Sequence, residues 1–288
     1  MTESLNRALE LLDLLPCELL FIDDGSTDYS FDTAVTWQEN THTPALLITK
    51  TNRGLVDSLN MALKLARAPY VFFIAADDLI CSNAINSLIQ TLVINPRMSF
   101  AMGNCMCFGD NIKKRPAYGK RHDEFLKSPA LMRPSSLPSK LPGSMLIQAT
   151  LFRTIFLRQI GGWNPDIRLD DLQLFVHLFS LQPEHGLDFI YKHDLYVSEY
   201  RQHTNNNYRR LLHQFSIYEE FIRKAISKQE QPTEYAFALA MYIIQALITG
   251  NLEALKFLSA FAFHKRIVWL TLYEILKRVI GKILMKSM

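Results

Sequence analysis

The 288-residue chain is 49% apolar and 20% charged, enough for one full mixed core of ~200–250 residues with an appendage. Its net charge of +3 hides an asymmetry, because residues 201–288 carry 13 Lys/Arg against 6 Asp/Glu while residues 1–200 carry 18 against 22. An acidic body with a basic tail argues against nucleic-acid binding and suits a metal-using body tethered to something anionic.

Residues 3–15 place Leu5, Leu9, Leu12 and Leu15 at helical spacing before Pro16. A short apolar strand, 18–22, then runs into Asp23-Asp24-Gly25-Ser26-Thr27-Asp28. Phe31–Gln38 begins a helix, Ala45–Thr49 is a second strand, and Lys50-Thr51-Asn52-Arg53-Gly54 precedes a helix over 55–67. Tyr70–Ile74 reads as a third strand, ending at Ala75-Ala76-Asp77-Asp78, and Asn83–Val93 as another helix. This alternation predicts a doubly wound, mostly parallel sheet.

Ser99–Phe108 is a further strand. The 32 residues 109–140 carry eight Lys/Arg and repeated prolines, as a functional lid or mobile insert would. Met145–Phe156 leads into Gly161-Gly162-Trp163 and then to Asp170-Asp171, which open a helix over 172–181. Phe189–Tyr191 and Tyr196–Tyr200 look like two short strands, and everything from 208 onward reads as helix. Tyr235–Leu252 is free of charge for 18 residues, but Gln245, Thr249, Gly250 and Asn251 spoil it as a lipid segment and favour a buried helix. Over 266–286, Val268, Leu272, Leu276, Val279, Ile280, Ile283 and Leu284 form an apolar stripe flanked by Arg266, Lys277, Arg278, Lys282 and Lys286. Such a helix either lies in an anionic membrane interface or docks on the body with its basic residues in water.

Cys17, Cys81, Cys105 and Cys107 lack paired metal-site spacing, and no basic-then-apolar leader opens the chain. The expected compartment is therefore reducing and cytoplasmic.

Three carboxylate pairs, Asp23/Asp24, Asp77/Asp78 and Asp170/Asp171, stand at strand ends or a helix start. Ligands of open α/β sheets bind beyond the carboxyl ends of strands, and hard divalent cations take oxygen ligands. Each pair also has a plainer reading: an Asp/Gly turn, a contribution to capping near Ser82–Asn83, or acids at a helix N-terminus. Arg53 and Lys50 suit phosphate contact or a solvated loop equally.

With these stretches in family order over residues 3–207, the chain resembles the family 2 glycosyltransferases of the GT-A fold. The matching residues are Ile22 to Asp28, Asn52-Arg53-Gly54 ahead of Asn60, Tyr70–Ile74 ending in Asp77-Asp78, Gly161-Gly162-Trp163 before Asp170-Asp171, and Tyr200-Arg201-Gln202-His203. The resemblance implies an α/β GT-A domain over 1–207 with a C-terminal helical extension over 208–288. It implies transfer of a sugar, with inversion, from a nucleotide-sugar donor (a UDP-sugar) to a hydroxyl of a glycan or lipid-linked glycan, in bacterial surface polysaccharide synthesis.

In the implied roles, Asp23, Asp24, Asn52, Arg53 and Asp78 serve the donor. Asp77 holds Mn²⁺ or Mg²⁺ on the diphosphate, His203 stands on the metal side, and Asp171 is the general base. The expected partners are the donor, the acceptor and an anionic membrane surface met through 266–288, placing the protein on the inner face of the cell membrane. Two departures accompany the resemblance. Ala75 replaces the first acid of the family's triplet, and the apolar strand that opens family members is missing, so that the sequence is expected to start one strand late. The alternative function is a non-catalytic glycan- or nucleotide-binding scaffold on the same fold.

Overall fold

The computed structural model describes residues 1–109, 112–129, 137–181, 188–202 and 211–286, with side chains as far as residue 280. The chain divides into two compact units. One comprises Met1–Ser136, Leu141–Asp166 and Asp170–His203; the other comprises Leu137–Lys140, Ile167–Leu169 and Thr204–Met288.

The first unit opens with α1 (Thr2–Leu14), β1 (Leu19–Asp23), α2 (Ser30–Thr41), β2 (Ala45–Thr49), α3 (Leu55–Leu65) and β3 (Tyr70–Phe72). It continues with β4 (Leu79–Ile80), α4 (Ser82–Ile94), β5 (Phe100–Phe108), β6 (Arg115–Pro116) and α5 (Lys120–Lys127). β7 (Thr150–Arg153), α6 (Thr154–Gln159), α7 (Asp171–Ser180) and β8 (Phe189–Arg201) complete it. The α/β architecture expected of the GT-A fold is present, but the sheet is mixed rather than mostly parallel. β1 pairs β2 in parallel as a two-stranded sheet. In the six-stranded sheet, ordered β3-β7-β5-β8-β4 with β6 on β5, only β5 and β8 run parallel. Parallel neighbours need a crossover of a dozen residues or more, which α2 supplies between β1 and β2. The short return from β5 to β6 leaves room only for an antiparallel partner.

β5 is the core strand, with Phe100, Ala101 and Met102 fully buried. The Phe100 ring stacks on Phe189 at 4.7 Å and tilts on Phe152 at 5.6 Å. The two short strands expected at 189–191 and 196–200 are one strand, because β8 follows β5 through irregularities around Asn104. Its polar middle, His193 and Asp194, is exposed, and hydropathy therefore breaks where the backbone does not. Within the basic stretch read as a lid, residues 120–127 form α5, whose one buried residue is Leu126.

Gly162 stands at φ +63°, and a Cβ there would lie 2.7 Å from Asn60 Oδ1. That space lets the Asn60 amide clasp the next residue. Its Nδ2 donates to the Trp163 carbonyl at 2.8 Å, and the Trp163 N–H donates to its Oδ1 at 3.0 Å. The buried Trp163 ring meets Phe73 edge-on, with centroids 5.1 Å apart.

The second unit holds α8 (Leu211–Ala225), α9 (Gln231–Thr249), α10 (Leu252–His264) and α11 (Val268–Lys286). Phe215 packs edge-on against Tyr242 and Phe261 at 5.5 and 5.1 Å. Buried alanines of α9 (Ala236, Ala238, Ala240 and Ala246) let neighbouring backbones approach. Glu234, fully buried, accepts from the Ser139 N–H at 3.0 Å and from its hydroxyl. Among the described residues no helix is long and apolar enough to cross a membrane.

Asn60→Ala removes both hydrogen bonds to the Trp163 backbone. It is expected to lower unfolding stability by about 2–3 kcal/mol, measured by chemical denaturation.

Candidate active site

The turn after β1 is built around the first acid pair. Asp23 is buried and accepts from the Ser26 N–H at 3.1 Å and the Thr49 hydroxyl at 3.1 Å. Burial alone would raise its carboxyl, but Ser26 and Thr49 outweigh this and hold it below the usual range. Gly25, at φ +73°, lies so close to the second loop that a Cβ would sit 2.8 Å from Asn52 N. Asp24 accepts from the Arg53 N–H at 2.9 Å and from the Lys50 ammonium, which also reaches Asp57 at 2.8 Å. Against the effect of burial, Lys50 and these N–H groups hold Asp24 low. The loop therefore unites Asp23, Asp24, Asn52 and Arg53, with the Asn52 and Arg53 residues exposed. Lys50 serves as the counter-ion of Asp24.

The second pair follows β3. A turn closed by the Asp78 N–H on the Ala75 carbonyl, at 3.1 Å, leaves Asp77 half-buried and Asp78 only 1% exposed. The Asp78 carboxyl accepts from the Arg201 N–H at 2.7 Å and from Gln148 Nε2 at 3.4 Å. Burial, helped by the Asp77 charge and opposed by Arg201, pushes it up to about 7. Asp78 is thus an interior support of the acid turn.

Asp170 and Asp171 stand at the N-terminus of α7, and Asp171 Oδ1 accepts from the Ile147 N–H at 2.9 Å. Burial raises both carboxyls. Asp171 is raised well above the ordinary range, helped by the charges of Asp170 and Asp78 and opposed by the Ile147 N–H. Consecutive residues therefore touch both acid groups: Ile147 through its N–H on Asp171, and Gln148 through its side chain on Asp78. The Gln148 carbonyl is tied in turn by the Ser198 hydroxyl at 2.7 Å and by the Cys105 thiol at 3.6 Å, so these two polar side chains are structural. His203 lies outside the described residues.

Sequence reasoning missed Gln148, Ile147 and the role of Arg201. Gln148 and Ile147 carry no local signal, whereas Arg201 sits inside the Tyr200–His203 stretch that resembles the family.

Among the described residues no group of three or more His, Cys, Asp or Glu could by itself hold a metal. The chemistry of the acid turn still suits a hard cation. Mg²⁺-type ions bind through one or two carboxylates plus substrate phosphates rather than in all-protein cages, and Asp77 can supply such a carboxylate.

The site thus consists of an acid pair at a strand end of a mixed α/β frame and a second pair at a helix start held beside it. A family model described as "Glycosyl transferase family 2" matches residues 1–156, and the chain belongs to that family. The poly-beta-1,6-N-acetyl-D-glucosamine synthase of Staphylococcus epidermidis is 25% identical over 169 residues, 57% of this chain and 40% of that protein. The chain thus spans well under half the length of that relative. Residues 1–349 of S. aureus TarS superpose with a TM-score of 0.54 at 18% identity, covering 97% of this chain and 87% of that one. Their complex with UDP superposes at 0.50 and 18% identity, covering 84% and 75%. The Pyrobaculum calidifontis mannosyltransferase PcManGT, in complex with GDP-Man and Mn²⁺, gives 0.50 at 18% identity, covering 89% and 73%.

The raised Asp78 carboxyl stabilises the fold fully below its unfolded value of 3.8, and that contribution is lost as pH rises through about 7. Asp78→Asn, which can still accept the Arg201 N–H, should remove this dependence. Its melting temperature relative to the parent is expected to climb between pH 4 and 7 and then level off, as read by thermal denaturation across that range.

Proposed function

We propose that the chain is an inverting glycosyltransferase that moves a sugar from a nucleotide-sugar, a UDP-sugar, to an acceptor hydroxyl of a glycan or lipid-linked glycan, in bacterial surface polysaccharide synthesis. The observation that carries the reading is the Ile147–Gln148 step, which hydrogen-bonds Asp171 on one side and Asp78 on the other. A donor-side acid turn and a separate proton acceptor are the two requirements of single displacement. Family membership adds the reaction class, and the UDP complex of a protein of similar fold adds the donor class.

In this reading residues 1–207 are the catalytic domain and 208–288 its helical extension. Asp23, Asp24, Asn52 and Arg53 line the donor's nucleoside side, and Asp78 supports the acid turn from within. Asp77 would hold Mn²⁺ or Mg²⁺, with His203 the second metal residue that the family resemblance implies, and the ion when bound would neutralise the diphosphate as the bond to the sugar breaks. Asp171 takes the proton of the acceptor hydroxyl as that oxygen attacks the anomeric carbon from the face opposite the nucleotide. General-base assistance of this kind is typically worth ~10²–10⁴-fold. With Asp171 as the base, the raised carboxyl predicts an acid limb of the rate profile above the ordinary carboxylate range.

The test is calorimetric titration with UDP, with and without Mn²⁺, alongside a transfer assay. Asp77→Ala should abolish the Mn²⁺-dependent part of UDP binding. Asp171→Asn should retain that binding yet lose transfer by about 10²-fold or more. Full turnover by Asp171→Asn would remove it as the base.

The same reading includes peripheral attachment to an anionic membrane through residues 266–288. It is supported by the way α11 packs. Thr271 is buried, Glu274 is 15% exposed and the Arg278 guanidinium lies 4.4 Å from the Phe237 ring centroid, so the docked face carries polar groups beside the half-buried Val268 and Ile275. Trp269, Tyr273, Leu276 and Ile280, by contrast, are 84%, 63%, 59% and 54% exposed. Exposed Lys265, Arg266 and Lys277 provide positive charge beside that apolar face, the pattern of an interfacial helix. Leu276→Glu combined with Ile280→Glu is expected to cut co-sedimentation with phosphatidylglycerol vesicles at least about tenfold without loss of helicity, since both apolar anchors become charged. Undiminished co-sedimentation would refute the attachment.

A further inference from the structure

The acid turn that carries Asp77 is short, solvent-accessible at its tip, and followed at once by the buried Asp78. A carboxylate that must meet a cation and a diphosphate needs its backbone held to about 0.5 Å. The strand end that meets this turn supplies Arg201. Its main-chain N–H donates to Asp78 Oδ1 at 2.7 Å, and its side-chain Nε–H donates to the Asp77 carbonyl at 2.8 Å. One residue therefore grips both members of the pair, one through its carboxyl and the other through its backbone.

The grip is itself anchored. The guanidinium lies 4.4 Å from the Phe108 ring centroid, and its Nη2 donates to Glu3 of α1 at 2.6 Å. Phe108 and Arg201 are register partners in the β5–β8 pairing, and the Gln202 N–H continues the ladder onto the Phe108 carbonyl at 2.7 Å. The planar fork of arginine allows all three side-chain contacts at once, which the single ammonium of lysine cannot reproduce.

We propose that Arg201 is a positioning residue for the metal-dependent step of donor binding: it fixes the Asp77–Asp78 turn from the end of β8. The proposal rests on the reading of Asp77 as the metal carboxylate. Its physical signature differs from that of a direct phosphate contact. A guanidinium bonded to the diphosphate would strengthen UDP binding with or without a metal, whereas one acting through Asp77 matters only when the cation is present. Simple charge attraction also makes the opposite prediction, since a positive group near the site repels a divalent cation and its removal would then favour the metal.

The experiment is UDP titration calorimetry on the full chain, in EDTA and in saturating Mn²⁺, comparing the parent with Arg201→Met, Arg201→Lys and Asp77→Ala. Melting curves of each variant verify folding. Partners that orient a metal's ligands are typically worth 10–100-fold in metal affinity. Arg201→Met is therefore expected to weaken UDP binding about tenfold or more in Mn²⁺ and less than about twofold in EDTA. Arg201→Lys, which keeps the charge and most of the stem, should fall between Arg201→Met and the parent, and it carries the test if Arg201→Met does not fold. Equal weakening in both media would assign Arg201 to the phosphate and overturn the proposal, as would unchanged or tighter binding in Mn²⁺. If Asp77→Ala keeps the full Mn²⁺ enhancement, the metal reading of Asp77 has failed, and the role of Arg201 falls with it.

Discussion

The structure of the first unit depends on the hold that α3 and Phe73, the residue after β3, have on Trp163. Asn60 satisfies both backbone groups of that residue, and Phe73 takes the indole ring edge-on. Asn60 and Trp163 lie 103 positions apart in sequence, and the three residues belong to different segments of the unit. Asn60 lies in the helix that starts just beyond Arg53, Phe73 immediately precedes the acid turn, and Trp163 begins the approach to Asp170-Asp171. A buried aromatic worth several kcal/mol thereby sets the spacing of the loops that carry the chemistry. Gly162 is required because any side chain there would occupy the place of the Asn60 amide.

Around this hinge the interior is polar to an unusual degree. Asp78, Gln148, Ser198 and Asn104 are all buried, and each finds a partner. Buried polar groups cost free energy unless hydrogen-bonded, and a partly satisfied network is worse than none. Arg201 N–H, Ile147 N–H and the Gln148 amide fix the carboxyls of Asp78 and Asp171, and the Asn104 amide closes on the backbone of Tyr118. The same burial that demands these bonds raises the Asp171 carboxyl well above the ordinary carboxylate range.

The second unit reverses the usual helix pattern at its end. The apolar stripe of α11 was visible as helical spacing in the sequence, but spacing alone leaves open which face turns inward. In the fold Thr271, Glu274 and Arg278 take the docked side and the large apolar residues take the outer one. An arrangement that leaves Trp269 and Leu276 in water is costly by the transfer free energy of each side chain, roughly 1.5–3 kcal/mol. That cost is relieved wherever the outer face is covered.

The elements of the first hundred residues were legible because each is set by local periodicity. The helices at α1, α3 and α4 and the strands β1, β2 and β3 fall within a few residues of their expected places, and the acid pairs stand at the strand ends and helix start expected of them. α5 escaped notice because its run of charges buries only Leu126, and β8 read as two strands because exposed His193 and Asp194 interrupt its hydropathy. By itself the sequence determined most elements of the first hundred residues, the positions of the acid pairs and the resemblance to the family, all properties of residues close together along the chain. Tertiary structure alone decided strand direction, the inward turn of Asp78, the Ile147–Gln148 brace, the Arg201 grip and the outward face of α11. These depend on partners up to 198 positions away, and hydrogen-bond satisfaction across such separations leaves no trace in local pattern.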